Sequence, residues 1–497
     1  MSTETTDWRE VFGFPRNSGK ILRMVRNILR DCLEPKSVLE PPKRINLSLQ
    51  SVGGDGVPIL DVLDEVHRKI VRHAVNPRHP WAIAHMVPPP STISVLADLV
   101  IGAMNQCAFI WEEAPAAFDL EREVIRWLLD RFGCPVDAQG LLTSGGTMSN
   151  FLATFAALDR ERGCHGNGRQ RLRIIVSDQA HLSIDKAAAL CGLGVDAVHR
   201  VRTNDCGRLV PGDLHNVARR LADDGFRPFL IVCTAGTTNA GTVEPFSEAM
   251  EVAHEHRAWC HLDAAHGGLL SLSSDLRGMT SEWRMADSIS WDPHKTLYTS
   301  YATGALLFRD ALGLAALDIR SDYALKQEDE GDAGRAHFEG SRRMEALKIW
   351  MTIKHFGVRG FSQAVDKTLL LAREFATRLD AANDFTLITE PDTNIVCFRY
   401  KGTQMADIQV ERLHEKVQKR LFLNGGPLLS TTRIHSLCVF RCVFLNPLLE
   451  VDDLDPIIGR IRTEAQRAMS TQQQQREGDR HEHQPLHEPA SKPLGFS

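Results

Sequence analysis

Short apolar runs that alternate with helical patterns predict an α/β protein: a mostly parallel sheet in a large domain, a smaller C-terminal α+β domain and an N-terminal helical arm. The runs are residues 173–177, 229–234, 259–263, 288–291 and 304–308. They are mainly apolar and partly β-branched, the composition of strands that crossover helices bury on both faces. After Gly357 the order changes to a helix, then strand-like stretches at 394–400 and 437–445, then a helix over about 455–469. Strands and helices no longer alternate one by one there, which separates a second domain from the first.

Within residues 8–75, Ile21, Met24, Val25 and Ile28 recur at helical spacing, with Pro and Gly breaks around 39–58. Interrupted helices of this kind make an arm or cap, assigned to residues 1–79. The large domain is expected over 80–356 and the smaller one over 357–470. From Thr471 a QQQQ run and repeated His, Glu and Pro carry no apolar periodicity, so 471–497 are expected to be a disordered tail. His481, His483 and His487 in it could hold a metal, but a solvated tail is the simpler reading and no metal site is expected. No internal repeat is found.

At 497 residues the chain exceeds what one hydrophobic core usually organises, and 43% hydrophobic with 24% charged residues is ordinary globular usage. Its 58 basic and 63 acidic residues are mixed without a basic stripe, which argues against nucleic acid and for a small-molecule ligand. Eleven cysteines without a CxxC pair fit reduced thiols in the cytoplasm better than a disulfide framework or a zinc site. The N-terminus is polar and acidic, unlike a signal peptide. The apolar stretch 91–104 is too short for a bilayer and contains Asp98, so no membrane segment is expected.

The strongest local signal is Asp292-Pro293-His294-Lys295, directly after the run 288–291 and before a Thr/Ser/Tyr/Gly-rich stretch to Gly304. A lysine at the carboxyl end of a strand faces the crevice where α/β sheets bind ligands, and its amine can form a Schiff base with an aldehyde cofactor. Alone, such a lysine reads as a solvated loop residue. Asp263 ends an earlier run and is followed by Ala264, Ala265, His266, Gly267 and Gly268. A carboxylate there can keep a pyridine nitrogen protonated, and the small residues leave room for a flat ring; the alternative is a helix N-cap or a plain strand-end aspartate.

In Thr143-Ser144-Gly145-Gly146-Thr147-Met148-Ser149-Asn150, glycines and hydroxyls precede an apolar helix. That arrangement offers a phosphate exposed N–H groups and the positive end of the helix dipole. It lacks the GK[ST] of a nucleotide-triphosphate loop, and by itself it reads as a plain glycine turn. His181, between a strand and a helix, can stack on a cofactor ring or serve only in structure. Gly192-Leu193-Gly194 imitates a dinucleotide fingerprint but follows a helix instead of a strand, so it is read as a helix C-cap and a nicotinamide cofactor is set aside.

Together, TSGGTMSN, HLSIDKA, Thr234-Ala235-Gly236-Thr237-Thr238, HLDAAHGG and WDPHK resemble, in order and spacing, the group II PLP-dependent amino acid decarboxylases. That family includes glutamate, aromatic amino acid, cysteine sulfinate and diaminobutyrate enzymes, and the likeness covers about residues 76–447. It implies a PLP fold-type I homodimer that binds pyridoxal 5'-phosphate (PLP) at Lys295, with Asp263 on the pyridine nitrogen, His181 stacked on the ring and Ala265 beneath it. It implies further that Gly145, Gly146, Thr147 and Asp292 lie near the phosphate and that Thr234 and His294 make additional cofactor contacts. Arg441, in FRCVFLNP, matches the arginine that holds the substrate carboxylate, with a structural ion pair as the alternative. His85 and Met86, in HPWAIAHM, match the segment that lines the side-chain pocket, and residues 105–121 also match.

The implied reaction converts an L-amino acid to its amine and carbon dioxide, through the Lys295 Schiff base and a quinonoid intermediate, with Lys295, His181 and Asp263 as catalytic residues. One departure stands out. Many members carry, in a loop before the segment matching Arg342-Arg343, a tyrosine that protonates the substrate carbon; residues 327–340 contain none, and Tyr323 aligns elsewhere. His337 and His181 are the candidates for that role. Some members replace the tyrosine and release aldehydes instead of amines, so an aldehyde synthase is the alternative activity and a catalytically silent PLP-fold scaffold the alternative class.

Overall fold

The computed structural model describes residues 18–34, 47, 56–161, 170–210, 212–318, 337–401 and 406–482, with side chains described through 470. Its larger sheet has seven strands: β1 Gln139–Thr143, β2 Leu172–Ser177, β3 Val198–Val201, β4 Arg227–Thr234, β5 Trp259–Asp263, β6 Ser288–Trp291 and β7 Gly304–Phe308. Their spatial order is β1-β7-β6-β5-β4-β2-β3. The pairs β2·β3, β2·β4, β4·β5 and β5·β6 are parallel, and β7 runs against both β6 and β1. All five expected runs are strands. The two additional ones lie at the sheet edges, where half-buried strands such as Gln139–Thr143 and Val198–Val201 carry polar residues that mask an apolar pattern.

Burial on both faces explains the apolar runs. Along β4, Ile231 and Cys233 pack into one core with helices Pro115–Phe132, Asp213–Asp223 and Phe246–Glu255. Leu230 and Val232 point the other way, into a second core with helices Gly146–Arg160 and Ser183–Leu190. Successive strand residues face opposite sides, so both must be apolar when helices cover each side.

The smaller sheet is antiparallel: β8 Phe385–Leu387, β9 Ile395–Tyr400, β10 Ser430–Ile434 and β11 Leu437–Val443, in the order β10-β11-β9-β8. Helices Asp407–Leu423 and Leu454–Glu482 share a core with Phe375, Phe398, Phe440 and Phe444. Helix Ala346–Asp380 joins the two parts and is interrupted at Gly357 (φ 61°, ψ 174°), a backbone conformation that essentially only glycine adopts.

Two expectations need adjustment. The final helix does not stop near Met469 but continues to Glu482, its Gln, Arg and Glu residues being good helix formers without an apolar face. Residues 483–497, and the side chains of His481, His483 and His487, lie outside the description. The start of the large domain is also shifted in space. Trp81 and Ile83 pack into the smaller core, Ile83 N–H donates to Leu428 O (2.9 Å), and Val443 N–H donates to Ile83 O (2.8 Å). Open backbone groups at the ends of β10 and β11 capture this apolar segment. Among the described residues, no helix is long and apolar enough to cross a membrane.

Candidate active site

Parallel strands that end together create one functional edge. Thr234, the last residue of β4, pairs with Asp263, the last of β5, which pairs with Ser290 of β6. On the far side of β7, Thr143 at the end of β1 stands opposite Gly304, which brings the following Ser-Gly-Gly loop to the same edge. Lys295 follows β6 in the short helix Pro293–Thr296. Crevices at the carboxyl ends of such strands are where open α/β sheets bind ligands.

A single cavity of about 480 Å³ opens there. Lys295, His181, Asp263, Gly145, Gly146, Thr147, Thr234, Ala265, Asp292, His294, Arg441, His85 and Met86 all line it. Lys295 Nζ lies 2.9 Å from Asp292 Oδ2, and His294 Nε2 lies 3.6 Å from the same oxygen. Asp263 accepts from Asn150 Nδ2 (2.7 Å), Ser290 Oγ (3.2 Å) and Ala265 N–H (3.2 Å), so it caps no helix. His181 is bonded through Nδ1 to Ser183 Oγ (2.8 Å), and burial lowers its pKa against the pull of Asp263.

Gly145 has φ 139° and caps helix Gly146–Arg160. A β-carbon on Gly146 would stand 3.0 Å from Ala265 Cβ and 3.1 Å from Asp292 Oδ2, so only glycine lets the helix start come this close to the cavity floor. The first N–H groups of a helix have no partner within it and are available to an anion.

Arg441, on β11, is buried at 6% exposure. It donates from Nη1 to Ala84 O (3.1 Å) and Ser430 Oγ (3.3 Å), and no carboxylate pairs with it among the described residues. Among the described residues there is thus no structural ion pair at Arg441. Burial lowers its pKa, and the segment Trp81–Ala84, docked on the smaller sheet, sets His85 and Met86 beside it.

Several buried polar atoms of the lining residues have no partner among the described residues: Thr234 Oγ1, Asp292 Oδ1, His266 Nδ1 and Arg441 Nε. Unsatisfied buried donors and acceptors are costly, and their clustering marks a place for a polar ligand. An amine, an acceptor-only carboxylate, a flat imidazole, a glycine-opened helix start and an unpaired guanidinium suit a ligand set with an aldehyde, a ring nitrogen, a phosphate and a carboxylate. The residues present thus fit PLP and an amino acid.

His337 is placed elsewhere. Its Nε2 lies 3.0 Å from Glu121 Oε1, it is buried, and it lines a separate cavity of about 720 Å³ beside β1 and helix Pro115–Phe132. Burial raises the Glu121 pKa, but His337 and Arg342 outweigh it and hold the carboxyl down to about 2. Paired in this way, His337 does not line the cavity that holds Lys295. Tyr323 and residues 327–336 lie outside the described residues.

Asn150, His266 and Tyr301 also line the cavity and were assigned no role from sequence. Asn150 and His266 stand inside the motifs TSGGTMSN and HLDAAHGG, whose spacing shows proximity but not which side chains turn inward. Tyr301 donates from Oη to Met86 O (3.1 Å), and its ring centroid is 4.4 Å from that of His294. One of only four tyrosines in the chain, within six residues of Lys295, was the available signal.

Behind the cavity, Glu244 accepts from Thr234 N–H (2.7 Å). Burial, with Asp263 and Asp178 nearby, pushes its carboxyl up to about 7. Because this exceeds the unfolded value of about 4.3, the stabilisation is complete below that pH and is lost as pH rises through about 7. Glu244→Gln keeps a neutral acceptor, so it should raise unfolding stability at about pH 8 by about 1 to 3 kcal/mol, a gap that closes toward about pH 5. Denaturant midpoints at both pH values check this.

Comparison with known proteins agrees with the geometry. Residues 42–401 match the family model of the pyridoxal-dependent decarboxylase conserved domain. The chain is 32% identical over 413 residues to an L-2,4-diaminobutyrate decarboxylase of Rhizobium meliloti, covering 82% of each protein. It is 28% identical to an aromatic-L-amino-acid decarboxylase of Bacillus atrophaeus, covering 85% of this chain and 88% of the relative. The crystal structure of mouse CSAD superposes with a TM-score of 0.84 at 26% identity, over 91% of this chain and 99% of that one. The chain belongs to the pyridoxal-dependent decarboxylase family: it is a carboxy-lyase that uses pyridoxal 5'-phosphate to decarboxylate an amino acid.

Proposed function

We propose that the enzyme converts an L-amino acid to its amine, with Lys295 as the residue that holds the cofactor aldehyde covalently. One observation carries this reading: a single cavity collects the Lys295 amine, the Asp263 carboxylate, the His181 ring and an Arg441 guanidinium that has no carboxylate partner among the described residues. Asp263 would face the pyridine nitrogen, His181 and Ala265 the two faces of the ring, and the Ser144–Thr147 turn the phosphate. Thr234, Asp292 and His294 would complete the cofactor contacts.

Bound there, PLP supplies an electron-withdrawing ring that takes up the bonding electrons of the departing carboxylate. Arg441 would bind the substrate carboxylate and hold it in place for that transfer. Burial of Arg441 removes competing water and strengthens that contact. His85 and Met86 close the side-chain end of the cavity. Of the two proton donors weighed from sequence, only His181 lines the cavity.

Arg441→Met should lower kcat/KM about a hundredfold, chiefly through KM, while the cofactor stays bound. Arg441→Lys should restore only part, because an ammonium lacks the planar two-pronged geometry. Steady-state kinetics with absorbance of the bound cofactor checks both.

Helix Thr92–Met104 exposes Leu96, Leu99, Val100 and Met104, an apolar stripe at helical spacing, and this supports a homodimer. Sedimentation should give twice the chain mass, and Leu99→Glu should shift it toward the monomer. Buried thiols such as Cys260 and Cys397, which burial pushes upward in pKa, support a cytoplasmic enzyme. The division at Gly357 supports a large domain over 80–356 and a smaller one over 357–470.

The deciding experiment incubates PLP-loaded protein with the proteinogenic amino acids, diaminobutyrate and cysteine sulfinate, follows carbon dioxide and identifies the product by mass. Carbon dioxide with one dominant amine is the expected result. The missing tyrosine in residues 327–340 favours a second reading, an aldehyde synthase, for which aldehyde would replace the amine. Absence of carbon dioxide from every substrate would count against both.

A further inference from the structure

The wall of the cavity behind Asp263 holds a chain of hydrogen bonds that runs from Trp259 to His181. We propose that Asn150 is the positioning residue of this site, clamping Asp263 with its amide nitrogen and, through Ser183, fixing His181 with its ring proton on Nε2. The inference rests on the roles proposed above for Asp263 and His181.

Its starting point is Asp263, whose carboxylate can only accept. Asn150 must therefore turn Nδ2 toward Asp263 Oδ2 (2.7 Å), and the second hydrogen of that nitrogen goes to Ser183 Oγ (2.9 Å). The amide oxygen is left facing His261 Nε2 (3.0 Å), which must carry a hydrogen. Burial holds the His261 pKa down to about 4, so its ring is neutral and Nδ1 accepts from Ser288 Oγ (2.8 Å). Ser288 Oγ in turn accepts from Trp259 Nε1 (2.8 Å), a group that can only donate. Donor and acceptor match at every link, and both ends agree on the direction.

The second branch fixes His181. Ser183 Oγ already accepts from Asn150, so its own hydrogen is directed to His181 Nδ1 (2.8 Å). Ser183 N–H approaches the same atom (3.3 Å). A ring nitrogen facing two donors is bare, and the neutral imidazole then carries its hydrogen on Nε2. Asn150 is 1% exposed on the first turns of helix Gly146–Arg160, so the helix that opens the phosphate end of the site also sets the polarity of its far wall. A neutral amide steadies Asp263 without cancelling its charge, which a lysine or arginine there would do.

Titrating PLP into cofactor-depleted protein, together with the pH profile of kcat, tests this. Asn150→Leu, which keeps the branching of the side chain but is somewhat larger and cannot donate, should weaken PLP binding about ten- to a hundredfold, the loss of one hydrogen bond to a charged group. Ser183→Ala cuts only the His181 branch. It should leave PLP affinity within about threefold but move the acid limb of kcat upward by about half a pH unit or more, because Nδ1 loses the shorter of its two donors, the hydroxyl that favours the neutral ring, and keeps only the backbone N–H at 3.3 Å. Asp263, Asp292, Lys295 and Lys186 also act on His181 and are unchanged in that variant. Ser183→Thr keeps the hydroxyl and should keep the wild-type profile.

Wild-type PLP affinity in Asn150→Leu, or a wild-type pH profile in Ser183→Ala, would overturn the proposal while leaving the site roles intact. If Asn150→Leu does not fold, Ser183→Ala decides. Asp263→Ala with unchanged PLP affinity and turnover would instead remove the underlying roles, and the inference with them.

Discussion

Replacing Lys295 by alanine is expected to lower turnover at least about a thousandfold and to abolish the visible absorbance of covalently held cofactor. Lys295 contributes the only side-chain amine among the described residues lining the cavity, and none of these neighbours can take over its bond to the cofactor aldehyde. Its position is over-determined. The end of β6 and the Pro293–Thr296 turn fix the backbone, and Asp292 holds Nζ at 2.9 Å. The side chain is 20% exposed, so truncation removes chemistry without opening a large void in the core. A folded Lys295→Ala protein that kept both turnover and absorbance would sink the assignment. Small amines added to the variant should restore a fraction of the activity, because the space left by the side chain adjoins the cavity.

The second large effect is expected at Asp263. Asp263→Asn should lower kcat about a hundred- to a thousandfold, with a smaller change in cofactor affinity. An amide keeps the shape but not the negative charge that holds a ring nitrogen protonated, and the protonated ring is what stabilises charge developing on the α-carbon. The surroundings add a structural cost. Asp263 Oδ1 and Oδ2 together accept from Ser290, Ala265 and Asn150, whereas an asparagine must present a nitrogen to one of these donors. Thermal unfolding of the variant separates this cost from the catalytic one. A stable variant with wild-type kcat would show that Asp263 does not face the ring nitrogen.

Much of the fold could be read before any coordinates. The strands at 259–263, 288–291 and 304–308 coincide with the observed β5, β6 and β7, and those at 173–177 and 229–234 fall short only at their starts. These strands are buried on both faces, so their apolar character does not depend on which neighbour covers them. The edge strands β1 and β3, and the short β8 and β10, escaped notice because their polar residues reflect one solvated face or a brief pairing. The capture of Trp81–Ala84 by the smaller sheet could not be read either, since it joins residues more than 300 positions apart.

For the site, the amino-acid sequence by itself determined the cast: a lysine after a strand, an aspartate at the end of the previous one, a glycine-opened helix and an arginine in the second domain. Each is a local pattern, set by what a single turn or strand end requires. Only the tertiary structure decided how these patterns meet. It closed Arg441 and His85 over the strand ends from the smaller domain, turned Asn150 inward between Asp263, His261 and Ser183, and paired His337 with Glu121, outside the cavity that holds Lys295. The physical reason is that hydrogen-bond direction, desolvation and charge pairing act over a few ångströms between residues far apart in the chain, and spacing along the chain does not encode those distances.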